Sequence, residues 1–275
     1  MDKIGIIGQG YVGNALFQKC KNFFEILTYD KDESKSNSNM SEISKNCKII
    51  FLCLPTPMNK DGSCDTSIIE SVLFNLNKFK TKHIIVLKST VVPKTTEKLN
   101  RTFSNFSIVF NPEFLRERNA VEDFNNQNRI ILGGPRSSTT KLKDIYTKLF
   151  PNAHIIKTGS TEAEMVKYFT NSFLSTKVSF ANEMYEIASK LNIDFDKIVE
   201  YSTLDKRIGK SHLSVPGPDG DFGYGGHCLP KDLSAIINFS ENLKTNNSVL
   251  KAVKKTNDKV RKDRDWELMK GRAIN

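Results

Sequence analysis

The segment KIGIIGQGYVGNALFQKC, residues 3–20, constrains this chain more than any other. A short apolar run ends at Gly8, and glycines recur at 10 and 13 where a helix-compatible stretch begins. The spacing G-x-G-x-x-G alone arises by chance in many chains. Here it lies between a strand pattern and a helix pattern, and Asp30 closes the next apolar run, FFEILTYD. That arrangement is a βαβ unit shaped for a dinucleotide. Gly8 permits the tight turn, Gly10 lets the backbone approach a pyrophosphate, and Gly13 lets the helix pack close. The helix N-terminus at Tyr11 and Val12 supplies amide donors to the phosphates. Asp30 would accept hydrogen bonds from the adenosine ribose, which favours NAD over NADP because its charge repels a 2′-phosphate. The bland alternative is that Asp30 is a turn residue.

The pattern repeats. CKIIFLCLPTP, KHIIVLKST, FSIVFNPEF and NRIILGG are further strand candidates, separated by polar, helix-compatible stretches such as DTSIIESVLFNLNKF. Alternating strands and helices predict an α/β fold, a Rossmann-like doubly wound parallel sheet with helices on both faces. The polar stretch DESKSNSNMS reads as a loop. From Ser160 the pattern changes to a long segment without Gly or Pro, STEAEMVKYFTNSFLSTKVSFANEMYEIASKLN, predicting a long helix in an α-helical central domain. Ser160 or Thr161 can cap it, with Glu164 as reciprocal partner. Met165, Phe169, Phe173 and Leu174 mark an apolar face, and a helix this long and apolar needs more than one partner surface, which predicts a homodimer. Lys167 and Asn171 are one turn apart; on periodicity alone they are either solvated or line a cleft. Three stretches are expected: 1–158 for the dinucleotide domain, 159–255 for the helical domain, and 256–275 as a short tail.

The net charge of +10 raises the question of nucleic acid. Lysines are spread along the chain without an aromatic-interleaved basic stripe, and the cluster KAVKKTNDKVRKDRDW is diluted by acids, so nucleic-acid binding is not expected. A polyphosphate-bearing small ligand would profit from the same charge. No apolar run reaches membrane-spanning length, the N-terminus shows no signal-peptide pattern, and a cytoplasmic location is expected. The five cysteines, 20, 47, 53, 64 and 228, are odd in number and lack metal-ligand spacing, so no metal is expected.

FGYGGHCLPKD, residues 222–232, places three glycines before Cys228. A tight turn with a buried thiol is one reading; a nucleophile on a loop bare enough for a substrate is the other. Pro230 marks a helix start, so Cys228 lies just before a helix N-terminus, where amide dipoles and a nearby Lys231 or Lys167 favour a thiolate. His227 suggests a Cys–His pair, but adjacent side chains are expected to diverge.

Taken together, GIIGQGYVG, FLCLPTP, KSTVVPKTT, FNPEFLRE with NAVEDF, AEMVKYFTNSFLSTKVSFANE, DKRIG and FGYGGHCLPKD resemble the UDP-glucose/GDP-mannose dehydrogenase family over nearly the whole chain. The resemblance implies oxidation of the C6 alcohol of a nucleotide-linked sugar, most simply UDP-glucose, to a carboxylate with two NAD per turnover. It implies Cys228 as the nucleophile, through a thiohemiacetal and a thioester. Lys167 matches the lysine that stabilises developing oxyanions and Asn171 its partner. Glu113 matches a carboxylate that activates the hydrolytic water, and Thr90 helps to place that water. Asp232 matches the aspartate beside the reacting alcohol. Glu117 and Lys231 match residues near the nicotinamide and its phosphates, and Asp30, Lys35 and Thr56 match adenosine-side contacts. Phe114, Leu115 and Arg116, the loop from Leu213 to Gly217, and Gly225 match substrate contacts. Arg118 stands where the family has a glycine. The family continues into a second α/β domain, which is expected to be missing here. A non-catalytic NAD-binding or regulatory partner is the competing reading, against which the intact Cys228, Lys167, Asn171, Glu113 and Asp232 set argues.

Overall fold

The computed structural model describes residues 3–275. The chain divides into two compact units, Met1–Thr56 with Thr66–Lys167, and Pro57–Asp65 with Tyr168–Asn275.

The first unit holds seven strands: β1 (Lys3–Ile7), β2 (Glu25–Tyr29), β3 (Ile49–Leu52), β4 (His83–Leu87), β5 (Phe106–Phe110), β6 (Arg129–Gly133) and β7 (His154–Thr158), in the spatial order β2-β1-β3-β4-β5-β6-β7. All neighbours pair in parallel except β5 and β6, whose contact is antiparallel at Phe110 and Gly133. Between them run α1 (Tyr11–Cys20), α2 (Met40–Asn46), α3 (Ser67–Asn77), α4 (Thr95–Thr102), α5 (Ala120–Asn125) and α6 (Arg136–Leu149). Strand residues alternate between the two sheet faces, and both faces are apolar. Phe51, Val86, Val109 and Leu132 join Leu16 of α1, Phe124 of α5 and Leu142 and Tyr146 of α6 in one core. Ile50, Leu52, Leu87 and Phe110 join Ile43 of α2, Ile69 and Leu73 of α3 and Leu99 of α4 in the other. This is the doubly wound arrangement that the strand pattern predicts. The reversal in strand order between β1 and β3 opens a crevice at their carboxyl ends, where such sheets bind ligands.

β7 has no counterpart among the predicted strands. It is an edge strand, half-exposed along its length, so it lacks the apolar run that marks the others.

Helix α7 (Ser160–Lys190) begins in the first unit and continues in the second. Its start differs from the expected capping box. The Glu164 carboxylate accepts from Lys94 N at 2.7 Å and Thr96 N at 2.8 Å, at the N-terminus of α4, and so does not return to its own cap. Those amides are unpaired donors at a helix end, and a buried carboxylate satisfies both.

The second unit adds α8 (Phe195–Ser202), α9 (Cys228–Asn242) and α10 (Ser248–Val260). Its small core joins Ala181 and Ala188 of α7 to Phe195, Leu213 and Val215. The 57–65 loop pairs with the chain's last residues, Met58 N to Ala273 O at 2.8 Å and Asn275 N to Met58 O at 3.1 Å.

The long helix is amphipathic in an unusual sense. Glu164, Lys167, Asn171, Ser172, Ser175, Ser179 and Asn182 are buried, while Met165, Phe169, Phe173, Phe180 and Ile187 are exposed.

Candidate active site

The glycine turn of the first unit has the geometry a dinucleotide needs. Gly8 has a φ of +93°, and a Cβ there would strike the Cys53 carbonyl at the end of β3. A Cβ on Gly13 would strike the Gly8 carbonyl, so helix α1 packs against the turn only with hydrogen at that position. Gly10 has nothing within 4 Å of such a Cβ and carries no side chain to cap α1. Gly10 stands directly before the N-terminal turn of α1, and a helix N-terminus is the kind of cradle an anionic pyrophosphate fills. The residues therefore fit NAD. Asp30, just past β2, accepts from Gln9 N at 2.6 Å and from Asp32 N at 2.9 Å. It thus ties the glycine turn to the β2 loop, and each of its oxygens keeps a lone pair for a ribose hydroxyl. Lys35 is exposed and pairs with Asp32 at 3.1 Å. Thr56 is buried and donates to the Thr90 carbonyl at 2.8 Å, so the two predicted threonines share one hydrogen bond.

Past β5, the same unit holds a buried ion pair. The Lys167 ammonium donates to the Glu113 carbonyl at 2.7 Å and to its carboxylate at 3.0 Å, and the other carboxylate oxygen accepts from Leu115 N at 2.6 Å. Burial acts to raise the Glu113 pKa, but the Lys167 charge and these hydrogen bonds outweigh it and hold the carboxyl below the usual value. Phe114 packs its ring beneath Lys167, 5.3 Å from the ammonium. Lys88 of the KST motif, absent from the predicted set, lies nearby. It donates to Asn111 at 3.0 Å, and burial pushes its pKa down to about 8. Asn111 also accepts from the Tyr146 hydroxyl. Sequence reading missed Lys88 because a lysine at a strand end is ordinarily a solvated one.

Arg116, Glu117 and Arg118 are exposed on the short turn after β5, with Arg116 forked onto Asp123 at 2.6 and 3.0 Å. Arg118 is not among the left-handed residues, so an arginine replaces the family's glycine here without backbone strain.

In the second unit Cys228 is the first residue of α9, and the helix starts two residues earlier than Pro230 suggests. The thiol lies at the helix N-terminus, where the dipole favours a thiolate. The expectation that His227 diverges from it does not hold. His227 Nε2 lies 3.4 Å from Cys228 Sγ, because the imidazole is long enough to fold back over the first turn. One turn on, Asp232 is buried and accepts from Asn171 at 2.6 Å and from Lys231 at 2.6 Å. Burial opposes the Lys231 charge, but the adjoining Asp232 carboxylate raises its pKa above the ordinary value. Asn171, Lys231 and Asp232 thus form one satisfied buried network beside the nucleophile candidate. Leu213 is a core side chain, so only its backbone is available to a ligand, and Gly217 closes a turn by donating to Asp221 O at 2.8 Å.

The three glycines before Cys228 have different neighbours. A Cβ on Gly223 would strike Asn257 and approach Val260 at 3.2 Å; one on Gly225 would approach Asp265 at 2.6 Å and Arg261 at 2.7 Å. Gly226 is open, with a φ of +70°. Among the described residues no cluster of His, Cys, Asp and Glu suits a metal ion, and no helix is long and apolar enough to cross a membrane.

The comparisons with known proteins agree with this architecture. Residues 31–150 match the NAD binding domain of the UDP-glucose/GDP-mannose dehydrogenase family, and residues 161–259 match that family's central domain. The chain is 36% identical over 245 residues to a UDP-glucose 6-dehydrogenase of Rickettsia bellii, covering 86% of this chain and 55% of that one. It is 32% identical over 289 residues to a UDP-glucose 6-dehydrogenase of Campylobacter jejuni, covering 93% and 72%. The chain therefore spans little more than half of some relatives. Among solved structures, a UDP-glucose dehydrogenase from Pyrobaculum islandicum superposes with a TM-score of 0.85 at 29% identity, over 94% of this chain and 68% of that one. With an NAD-binding unit, the central-domain match and a relative covered over most of its length, the chain belongs to the UDP-glucose/GDP-mannose dehydrogenase family.

Proposed function

We propose that the protein oxidises the C6 alcohol of a nucleotide-linked sugar, UDP-glucose in the first instance, to the carboxylate in two NAD-dependent steps. The observation that carries this reading is Cys228 at the start of α9, with Asp232 one turn on and bonded to Asn171 and Lys231. A simple alcohol oxidation needs no thiol.

The first unit holds NAD through Gly8, Gly10, Gly13, the amides of Tyr11 and Val12, and Asp30; Lys35, Thr56, Thr90, Glu117 and Lys231 complete the cofactor set. Bound NAD supplies the hydride acceptor, once for the alcohol and once for the adduct. Asp232 takes part in removing the alcohol proton. The Cys228 thiolate then adds to the aldehyde carbon, giving a thiohemiacetal whose oxygen carries the developing charge. Loss of hydride from that carbon leaves a thioester, and water cleaves it to carboxylate and free thiol. Lys167 supplies positive charge to the oxyanions, Asn171 a hydrogen bond, and Glu113 accepts the proton of the attacking water, which Thr90 helps to place. Phe114, Leu115, Arg116, Leu213, Gly217 and Gly225 form the substrate contacts. The stretch 1–158 is the cofactor domain and also carries Glu113 and Thr90, and the stretch 159–255 carries Cys228, Lys167, Asn171 and Asp232. The exposed stripe Met165, Phe169, Phe173 and Phe180 supports a homodimer joined along α7.

The test follows NADH with a panel of UDP- and GDP-sugars. The expected result is two NADH per sugar and a uronate product, with Cys228→Ser slowing carboxylate formation by orders of magnitude. Wild-type rates in Cys228→Ser would refute the nucleophile. No turnover of any sugar despite NAD binding would favour a non-catalytic NAD-binding role.

A further inference from the structure

The loop that carries Cys228 is fastened from one side by the far end of the chain. Asn257 of α10 accepts from Tyr224 N at 2.7 Å and donates to Tyr224 O at 3.1 Å. Asp265 accepts from Gly226 N with both oxygens at 3.0 Å. Between these two side chains lies Arg261, whose side chain is 2% exposed. It donates to Asp219 at 2.7 Å and to the Asp263 carbonyl at 2.6 Å, and lies 3.6 Å from both Asp221 and Asp265. One buried guanidinium therefore ties together the loop after Gly217, the glycine loop and the segment after α10. The missing side chains at Gly223 and Gly225 are what admit Asn257, Arg261 and Asp265 to the loop backbone.

We infer that Arg261, acting with Asn257 and Asp265, is the positioning centre of the nucleophile loop: it fixes Gly223–Gly226 so that Cys228 enters α9 as its first residue. This rests on the proposed role of Cys228, but the inference concerns where the thiol is held and is testable without turnover. Arg261 touches neither the thiol nor a reacting atom. It acts through Asp265, whose acceptor oxygens hold the amide two residues before Cys228. At Gly223 and Gly225 the missing side chain is thus what lets the loop be fastened, whereas Gly226 has open space where a Cβ would stand.

The experiment uses the full chain and four variants: Arg261→Gln, Arg261→Lys, Asp265→Asn and Gly225→Ala. Gly225→Ala displaces Arg261 and Asp265 from the other side and leaves both in the sequence. Alkylation by iodoacetamide is followed at Cys228 by peptide mass spectrometry, with Cys64, a half-buried thiol of the same unit, as internal reference. Release of the loop moves the thiol off the helix N-terminus, so the Cys228 to Cys64 rate ratio should fall about fivefold or more in Arg261→Gln, Asp265→Asn and Gly225→Ala. Arg261→Lys, which keeps the charge, should recover part of the loss. NAD affinity should stay within about twofold, and the surface control Lys262→Gln should match wild type in every reading. Uronate formation, measured in parallel, should fall about tenfold or more while KM for NAD is unchanged. An unchanged Cys228 to Cys64 ratio overturns the inference, whether the variants melt normally or poorly, because Arg261 would then serve only the packing of its unit. A wild type that alkylates as expected yet oxidises no sugar would instead overturn the dehydrogenase reading and leave the positioning intact.

Discussion

Lys167→Met removes one half of a fully buried ion pair, and its cost can be worked from the geometry. Lys167 and Glu113 side chains are 4% and 5% exposed, with the ammonium 3.0 Å from the carboxylate. At an effective dielectric of 20 their attraction is about 5–6 kcal/mol. The lysine's own desolvation is recovered when it is removed, and Lys88 remains as a second cation near the abandoned Glu113, so the net loss should lie near the low end of the range for a broken buried pair, about 3 kcal/mol. For a protein of this size that is a fall in melting temperature of roughly 6–12 °C. The pH dependence gives a sharper test. In the wild type Glu113 titrates below its ordinary value of 4.5, so the pair contributes stability above that value and loses it as pH falls through the folded-state pKa. In the variant burial acts with less opposition and the pKa rises, so the variant loses stability as pH climbs above 4.5. The gap between the two should be widest near pH 7 and narrow toward about pH 4. Glu113→Gln in the same chain should return about half of the loss or more, since no buried charge is then unpaired. Urea titrations of the three variants from acid to neutral pH give the numbers. A loss below about 1 kcal/mol, flat with pH, would show that the pair is solvated in solution and refute the reasoning.

Asp30→Ala should weaken NAD binding and erode its preference over NADP by calorimetry; equal wild-type affinity for both cofactors would contradict the ribose role. Lys88, with its pKa lowered from 10.5 to about 8, leaves the folded state binding fewer protons than the unfolded state between those values. Wild-type stability should therefore rise by about 3 kcal/mol from pH 8 to 10.5 relative to Lys88→Met, a slope that denaturant titration reads directly. Phe169 and Phe173 stack with ring centroids 6.4 Å apart on the exposed face of α7. Replacing both with Glu should turn a dimer into a monomer by sedimentation at micromolar concentration without lowering the melting point of the monomer, and a monomeric wild type would refute the assembly.

Much of the first unit was legible along the chain, because its signals are local. The glycine spacing, the apolar runs and the acid after β2 each depend on neighbours within a βαβ unit, and backbone sterics make a fixed φ or a close packing demand glycine wherever it occurs. The long helix was equally plain, since 31 residues without Gly or Pro leave few alternatives. What the chain could not disclose was which face of that helix would be buried. The aromatic stripe is exposed, as a face meant for a partner would be, and what the chain left open was whether Lys167 and Asn171 are solvated; they and five further polar residues are buried, because a carboxylate, a carbonyl or an amide elsewhere in the fold satisfies several of them. β7 escaped notice for the opposite reason: an exposed edge strand needs no apolar pattern. Glu164 on the amides of α4, Asn257 against Tyr224 and Arg261 with Asp219 and Asp221 are pairings across 33 to 70 residues, and no period or motif encodes them. Local sterics and periodicity are properties of a short stretch of chain, and so the sequence determined the dinucleotide turn, the strands of the sheet core and a helix start near Cys228, which the fold extends two residues to include the thiol. Satisfying a buried charge requires a partner that only folding brings near, and so the tertiary structure alone decided which polar groups are paired and what the glycines beside Cys228 are for.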